Sequence, residues 1–232
     1  MTMIPSLPPE PERHETRAIP FSWGTDSSEQ LSMRQLRHHT KTALQSLINQ
    51  VSTCAGLQQD AAGRALARDL AQRIRLSASI SDALFGLTRT PRPLYSRLEL
   101  LGRAVVSMLS DPDQDITLEV AVHGRTLPGV EDALVRVANE MIGNAIKHGM
   151  TLRMIGNIDV TVDARDGGVT MTVSDDGWGL CEGGGVPEAR GEGLRIAELL
   201  ADQVGGAITL HRDRCRTLAM LRIPAGPPGR TQ

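Results

Sequence analysis

The sequence predicts an α+β protein in two parts, a pair of long N-terminal helices followed by an open mixed sheet covered on one face by helices. Three observations carry that prediction. Residues 27–87 keep a helical apolar period that breaks only around Gly56. Beyond Thr90-Pro91-Arg92-Pro93 the texture changes to strand-length apolar runs interleaved with helical stretches. Glycine-rich turns then fall where predicted strands end and predicted helices begin.

Residues 1–26 contain Pro5, Pro8, Pro9, Pro11 and Pro20 with scattered charge and little periodicity, which reads as a flexible leader too short for a sensor domain. Asp26, Ser27 or Ser28 caps a first helix running to about Ala55, since Met33, Leu36, Thr40, Ala43, Leu44, Leu47, Val51 and Cys54 keep the period. Gly56 is its expected stop. A second stretch, Asp60 to about Leu87, places Ala62, Leu66, Leu70, Ile74, Ser77, Ile80 and Leu84 on one face. Joined by a short loop, the two make an antiparallel hairpin whose wide apolar stripes exceed what a single hairpin covers. A homodimer forming a four-helix bundle is the expected solution.

The expected divisions are therefore a leader at 1–26, a hairpin at 27–88, a linker at 89–95, a sandwich at 96–224 and a tail at 225–232. Within the sandwich the patterns predict a helix at Ser96–Leu109, a strand at Ile116–Val122 and a helix from about Gly129 to His148. Strands follow at Asn157–Ala164 and Val169–Ser174, then a helix at Leu194–Val204 and strands at Ala207–His211 and Leu218–Ile223.

Bulk properties narrow the function classes. A net charge of −2 and a sequence pI near 6.3 give no basic field for nucleic acid, and aromatics at 2% leave few stacking platforms. Cys54, Cys181 and Cys215 are odd in number and far apart, fitting neither a disulfide framework nor a metal cluster, so a reducing cytoplasm is expected. No apolar run of about 18 residues exists to cross a membrane, so a signal has to arrive from outside, through a separate sensor protein.

Three segments carry chemistry. In Asn139-Glu140-Met141-Ile142-Gly143-Asn144-Ala145-Ile146-Lys147-His148-Gly149, the polar Glu140, Asn144 and Lys147 share one helix face while Leu134, Val137, Met141 and Ala145 fall on another. An amide oxygen with nucleotide phosphates suffices for Mg²⁺, and Asn144 offers one. Asp175-Asp176-Gly177-Trp178-Gly179 follows a predicted strand, and glycines at 177 and 179 let the backbone approach a planar base, although Asp-Asp-Gly is also a strong hairpin turn. Gly191-Glu192-Gly193-Leu194 opens a helix whose free amides suit phosphate, after a glycine-rich stretch Leu180–Arg190 expected to act as a lid.

In this order the segments resemble the Bergerat-type ATP-binding fold of histidine kinases, gyrase-type ATPases and Hsp90-like chaperones. The resemblance implies ATP and Mg²⁺ as cofactors. It gives Asn144 as the Mg²⁺ ligand, Glu140 as the acid acting on the incoming nucleophile, Lys147 as a cation facing phosphate and Asp175 as the acceptor for the adenine amino group. Gly177, Gly179, Gly191, Gly193 and Leu194 complete the nucleotide set.

The first helix selects among those families. Leu36-Arg37-His38-His39-Thr40-Lys41-Thr42-Ala43-Leu44-Gln45 resembles the phosphoacceptor box of sensor histidine kinases that read H-R-x-K-N-x-L-Q, with His38 as acceptor. Helix geometry agrees: His38 lies roughly 160° from the middle of the apolar stripe and His39 roughly 100°. An exposed imidazole, ordinarily titrating near pH 6.5, is partly neutral at pH 7 and reachable by a γ-phosphate. Lys41 and Thr42 lie on the same side, where they could orient the ring or the phosphate. Thr42 stands where the family has Asn, and His39 where it has Arg, so the local acid and base arrangement differs. Arg37 offers a partner-binding charge, His148 belongs to the Glu140 string, and His14, His123 and His211 fit no pattern.

The resemblance spans residues 30–223 and implies a soluble, cytoplasmic histidine kinase core that phosphorylates itself and then a response-regulator receiver domain. A histidine phosphotransferase that no longer uses ATP shares hairpin and sandwich. A serine/threonine kinase of the anti-sigma class shares the pocket but lacks the hairpin, against which residues 28–87 argue.

Overall fold

The computed structural model describes residues 27–86, 92–126, 129–177, 191–213 and 216–225, without the side chains of residues 27–34, 37, 212 and 213. Helix α1 spans Ser27–Thr53, a short turn of helix α2 spans Ala55–Gln58, and α3 spans Ala61–Phe85. Gly56 is not the stop expected from the sequence. Cys54, with φ −64° and ψ 109°, breaks the helix first, and Gly56 sits inside α2. Asp60 then caps α3, its carboxylate accepting from Gly63 N–H at 2.6 Å, and Gly86 ends it in the left-handed region with φ 60°.

Helices α1 and α3 are in contact. The expected α3 face is covered unevenly. Ala67 and Ala71 are buried, whereas Leu66, placed on that face by its spacing, stays 50% exposed.

Helix α4 (Leu94–Leu109) begins two residues before Ser96, and strand β1 (Asp115–Gly124) extends past both expected ends. Helix α5 (Val130–Asn144) continues into a π-helical segment at Ala145–Gly149. Strands β2 (Ile155–Arg165) and β3 (Gly168–Asp175), helix α6 (Glu192–Gln203) and strands β4 (Ala207–Asp213) and β5 (Arg216–Ile223) complete the order. The five strands lie in the order β1-β2-β3-β5-β4, with β1 parallel to β2 and the other pairs antiparallel.

Period-two alternation puts Ile158, Val160 and Val162 of β2 and Val169, Met171 and Val173 of β3 on the buried face, in register as Val160 opposite Val173 and Val162 opposite Met171. Leu221 and Ile223 of β5 continue that layer beside Met171 and Val169. Leu98 and Leu101 of α4, Leu134, Val137 and Met141 of α5, and Ala197 of α6 close over it. Gly102 of α4 lies against the Leu118 side chain of β1, where a Cβ would collide. The opposite face carries Thr161, Asp163, Thr170, Thr172 and Arg222 around an open groove of about 570 Å³. The sheet is thus two-faced, with its helices on one side only.

The end of α3 is tied to the sandwich through polar contacts. Arg97 donates to Ala83 O from Nε (3.2 Å) and Nη2 (3.0 Å) and pairs with Asp132 of α5 at 2.7 Å. The Arg136 guanidinium lies 5.5 Å from the Phe85 ring centre.

Candidate active site

The π-helical turn is the first element that shapes the site. Met150 N–H donates to Ala145 O at 3.0 Å, closing the wide turn that the sequence reading had as continuous α-helix to His148. Widening advances Lys147 less per residue than an α-turn does, and both Lys147 and His148 stand exposed. Lys147 makes no ion pair among the described residues. The turn also brings Gly149 backbone against the end of β3: a Cβ on Gly149 would run into the Asp175 carboxylate, and one on Gly177 into the Gly149 carbonyl. Glycine at 177 is therefore required by close backbone approach.

One turn earlier, Glu140 and Asn144 meet the start of α6. A Cβ at Gly193 would lie 2.8 Å from Glu140 Oε2 and 3.6 Å from Asn144 Oδ1, so the first turn of α6 sits directly on the polar edge of α5. Asn139 Nδ2 donates to Glu140 Oε1 at 2.9 Å and orients that carboxylate. Gly191 caps α6, whose helix starts at Glu192 rather than Leu194, placing Gly193 and Leu194 in its first turn. Leu194 N–H turns back to Gly191 O at 3.1 Å.

Asp175 is not in the turn but is the last residue of β3, opposite Ile158 and Thr217. It is 5% exposed. Burial pushes its carboxyl up to about 6, and the Asp176 charge adds to the rise, while Gly177 N–H at 3.0 Å and Arg153 hold it down. Asp176 behaves oppositely. Burial alone would raise it, yet hydrogen bonds from Asn157 N (2.8 Å) and Nδ2 (3.1 Å), with Arg153 at 3.5 Å, hold it below the usual carboxylate range.

The structure thus brings Glu140 and Asn144 against the start of α6 at Gly193 and Leu194, and sets Asp175 with Gly177 at the end of β3. Gly179 and the expected lid at 180–190 lie outside the described residues. His38 and His39 are on α1, both exposed, their rings 6.1 Å apart at 62°, with Lys41 and Thr42 also exposed. Exposure does not separate the two imidazoles. Arg37's side chain lies outside the description.

Sequence reasoning missed Arg153 and Asn157, which organise the Asp176 turn from a loop and a strand start, and Gly149 as a wall of the Asp175 site. Their only signal was proximity to the motif strings, because the contacts span 19 and 23 residues.

These features fit adenine nucleotide and a hard cation. A desolvated carboxylate matches a base amino donor, and a helix N-terminus facing an amide oxygen and a carboxylate matches phosphate with Mg²⁺.

Comparison with known proteins agrees. Residues 129–227 match the family described as histidine kinase-, DNA gyrase B-, and HSP90-like ATPase. Sensor histidine kinase PdtaS of Mycobacterium tuberculosis, from strains CDC 1551 / Oshkosh and ATCC 25618 / H37Rv, is 25% identical over 211 residues, or 88% of this chain. The chain spans 41% of the length of these curated relatives. The histidine kinase domain from the Erythrobacter litoralis blue-light activated histidine kinase superposes with a TM-score of 0.54 at 16% identity, covering 85% of this chain and 94% of that domain. A second structure of that blue-light activated kinase gives 0.51 at 17%, covering 83% of this chain and 60% of its own. At such identities the two structures establish a shared fold. Residues 129–227 are therefore similar to the histidine kinase-, DNA gyrase B- and HSP90-like ATPase family, and most of the chain is similar to part of a sensor histidine kinase.

Proposed function

We propose that this chain is the dimerisation and catalytic core of a cytoplasmic two-component histidine kinase, which moves the γ-phosphoryl group of ATP to His38 and from there to an aspartate of a response-regulator receiver domain. The observation that carries the proposal is the seating of Gly193 on Glu140 and Asn144. It joins a helix N-terminus, a carboxylate and an amide oxygen where a phosphate tail and its cation need them.

In this reading Asp175 accepts from the adenine amino group, and Gly177, packed on the Gly149 backbone, fixes the turn beside it. The Gly193 amide and the positive end of α6 take phosphate charge, with Lys147 supplying a cation. Asn144 would hold Mg²⁺, which when bound would supply charge neutralisation to the phosphates. Glu140, steadied by Asn139, acts on the incoming imidazole, and Lys41 and Thr42 orient it. Positioning and charge neutralisation supply most of the rate.

The dimer is supported by the apolar surface that one chain leaves uncovered. Leu36 is 60% exposed, Leu47 46% and Leu66 50%, all on the two N-terminal helices. Pairing α1 and α3 as a hairpin with a second copy covers these positions.

The test is incubation with radiolabelled ATP and Mg²⁺, followed by addition of purified receiver domains. Acid-labile, alkali-stable label that vanishes in His38→Ala and chases onto a receiver supports the kinase. No label and no nucleotide binding would replace it with a phosphotransferase that does not use ATP, while label lost only in His39→Ala would shift the acceptor by one residue.

A further inference from the structure

Arg153 lies in the loop between the π-helical turn and β2, and all three of its guanidinium nitrogens are engaged. Nε donates to Ile155 O at 3.2 Å, Nη1 to Asp176 O at 2.7 Å, and Nη2 lies 3.5 Å from the Asp176 carboxylate. Its own carbonyl is fixed by Gln114 Nε2 at 2.8 Å, which also holds Met150 O at 2.8 Å. The arginine is thus pinned at both ends.

The carbonyl of Asp176 and the N–H of Gly177 belong to the same peptide group. Arg153 binds the oxygen of that plane, and the N–H on its far side donates to Asp175 Oδ1 at 3.0 Å. We propose that Arg153 is a positioning residue that sets the base preference of the nucleotide pocket, by holding the one peptide plane through which Gly177 N–H meets Asp175. The proposal rests on the nucleotide reading above.

The chemistry follows from what each purine presents. An ionised carboxylate only accepts hydrogen bonds, so it matches the 6-amino group of adenine and opposes a 6-oxo group. A protonated carboxyl donates, and so matches a 6-oxo purine. Which form dominates depends on the balance around Asp175. Burial and Asp176 favour the neutral acid; Arg153 and Gly177 N–H favour the anion. Asp176 adjoins it on the chain, Arg153 faces it from the loop before β2, and the π-helical turn presents Gly149 backbone. Removing Arg153 withdraws a positive charge and frees the plane that aims the N–H, and both changes favour the neutral acid. The preference for 6-amino over 6-oxo purine then narrows.

The test compares wild type, Arg153→Gln and Arg153→Lys for affinity toward ATP and inosine triphosphate between pH 5.5 and 8, with carbon-13 NMR titration of the Asp175 carboxyl in ligand-free protein. The two nucleotides share a phosphate tail, so their ratio isolates the base. In Arg153→Gln the Asp175 midpoint should rise by about one pH unit and the ATP-to-inosine triphosphate ratio at pH 7 should fall about tenfold. Arg153→Lys, whose single ammonium replaces only part of the three-point contact, should fall between. If Arg153→Gln fails to fold, the partial narrowing in Arg153→Lys carries the same decision. An unchanged midpoint and ratio in nucleotide-binding variants would overturn the role of Arg153 alone. Wild-type protein that binds neither nucleotide would instead overturn the ATP-site reading, and the base preference with it.

Discussion

Leu36, Leu47 and Leu66 stand 60%, 46% and 50% exposed on the N-terminal helices, whereas Leu98, Leu134 and Ile158 of the sandwich are fully buried. The polar groups divide the same way: His38 is in water, and Asp175 is sealed at 5% exposure. A nucleophile that has to meet a phosphate carried by another element gains from being exposed on a mobile surface. A carboxylate that reads a base gains from desolvation, because hydrogen bonds strengthen when water is excluded. The sandwich holds a buried core between sheet and helices while also exposing Leu152, Met154, Ile155 and Leu199, whereas α1 and α3 bury few large side chains within one chain and leave apolar surface that a second chain can cover.

Leu36→Asp with Leu47→Asp presses hardest on that contrast. Each leucine buried in a dimer contributes about 1.5–3 kcal/mol, so association should weaken by more than about a hundredfold. Analytical ultracentrifugation should show monomer, while the melting of the sandwich stays where it was; a dimer that survives would place the interface elsewhere.

Gly177→Ala attacks the other half. Its Cβ meets the Gly149 carbonyl, which is backbone and cannot step aside, so the sandwich should lose roughly 1–3 kcal/mol along with nucleotide binding. Oligomeric state should not change. Gly193→Ala is the milder partner, because the atom it meets, Glu140 Oε2 at 2.8 Å, is the far end of a flexible side chain. Melting should move by less than about 0.5 kcal/mol while phosphorylation slows by on the order of tenfold to a hundredfold, as Glu140 is displaced. Equal losses of stability in the two variants would contradict the packing assigned to each.

The contrast also carries a pH dependence. Asp175 titrates near 6 when folded, above its ordinary 3.8, so the fold favours the neutral acid and carries a cost from the anion above about pH 6. That cost is relieved as pH falls through 6 toward 3.8. Asp175→Asn should therefore be more stable than wild type at pH 7.5, by on the order of 1–3 kcal/mol, with the difference shrinking toward pH 4 while ATP affinity is reduced. Chemical denaturation at both pH values measures it.

The elements of the sandwich were legible because alternation and helical period are local signals: Ile158, Val160 and Val162, or Leu134, Val137 and Met141, announce their buried face from spacing alone. The widened turn at Ala145–Gly149 was not, since it depends on how Gly149 must reach Asp175. Leu66 lies on the expected apolar stripe of α3, yet within one chain the buried positions are Ala67 and Ala71, a choice of rotation about the helix axis that spacing does not fix. Arg153 was invisible for a related reason. An arginine in a loop gains meaning only from the peptide plane it touches, and that plane lies 23 residues away.

The central claim is that the pocket on α5, α6 and β3 delivers phosphate to α1. Mapping the modified residue by mass spectrometry at neutral pH, after incubating the intact protein with ATP and Mg²⁺, tests it most directly. The account predicts phosphohistidine at His38, absent from Gly177→Ala. A protein that binds ATP tightly yet carries no phosphohistidine, or carries its phosphate outside α1, would contradict it.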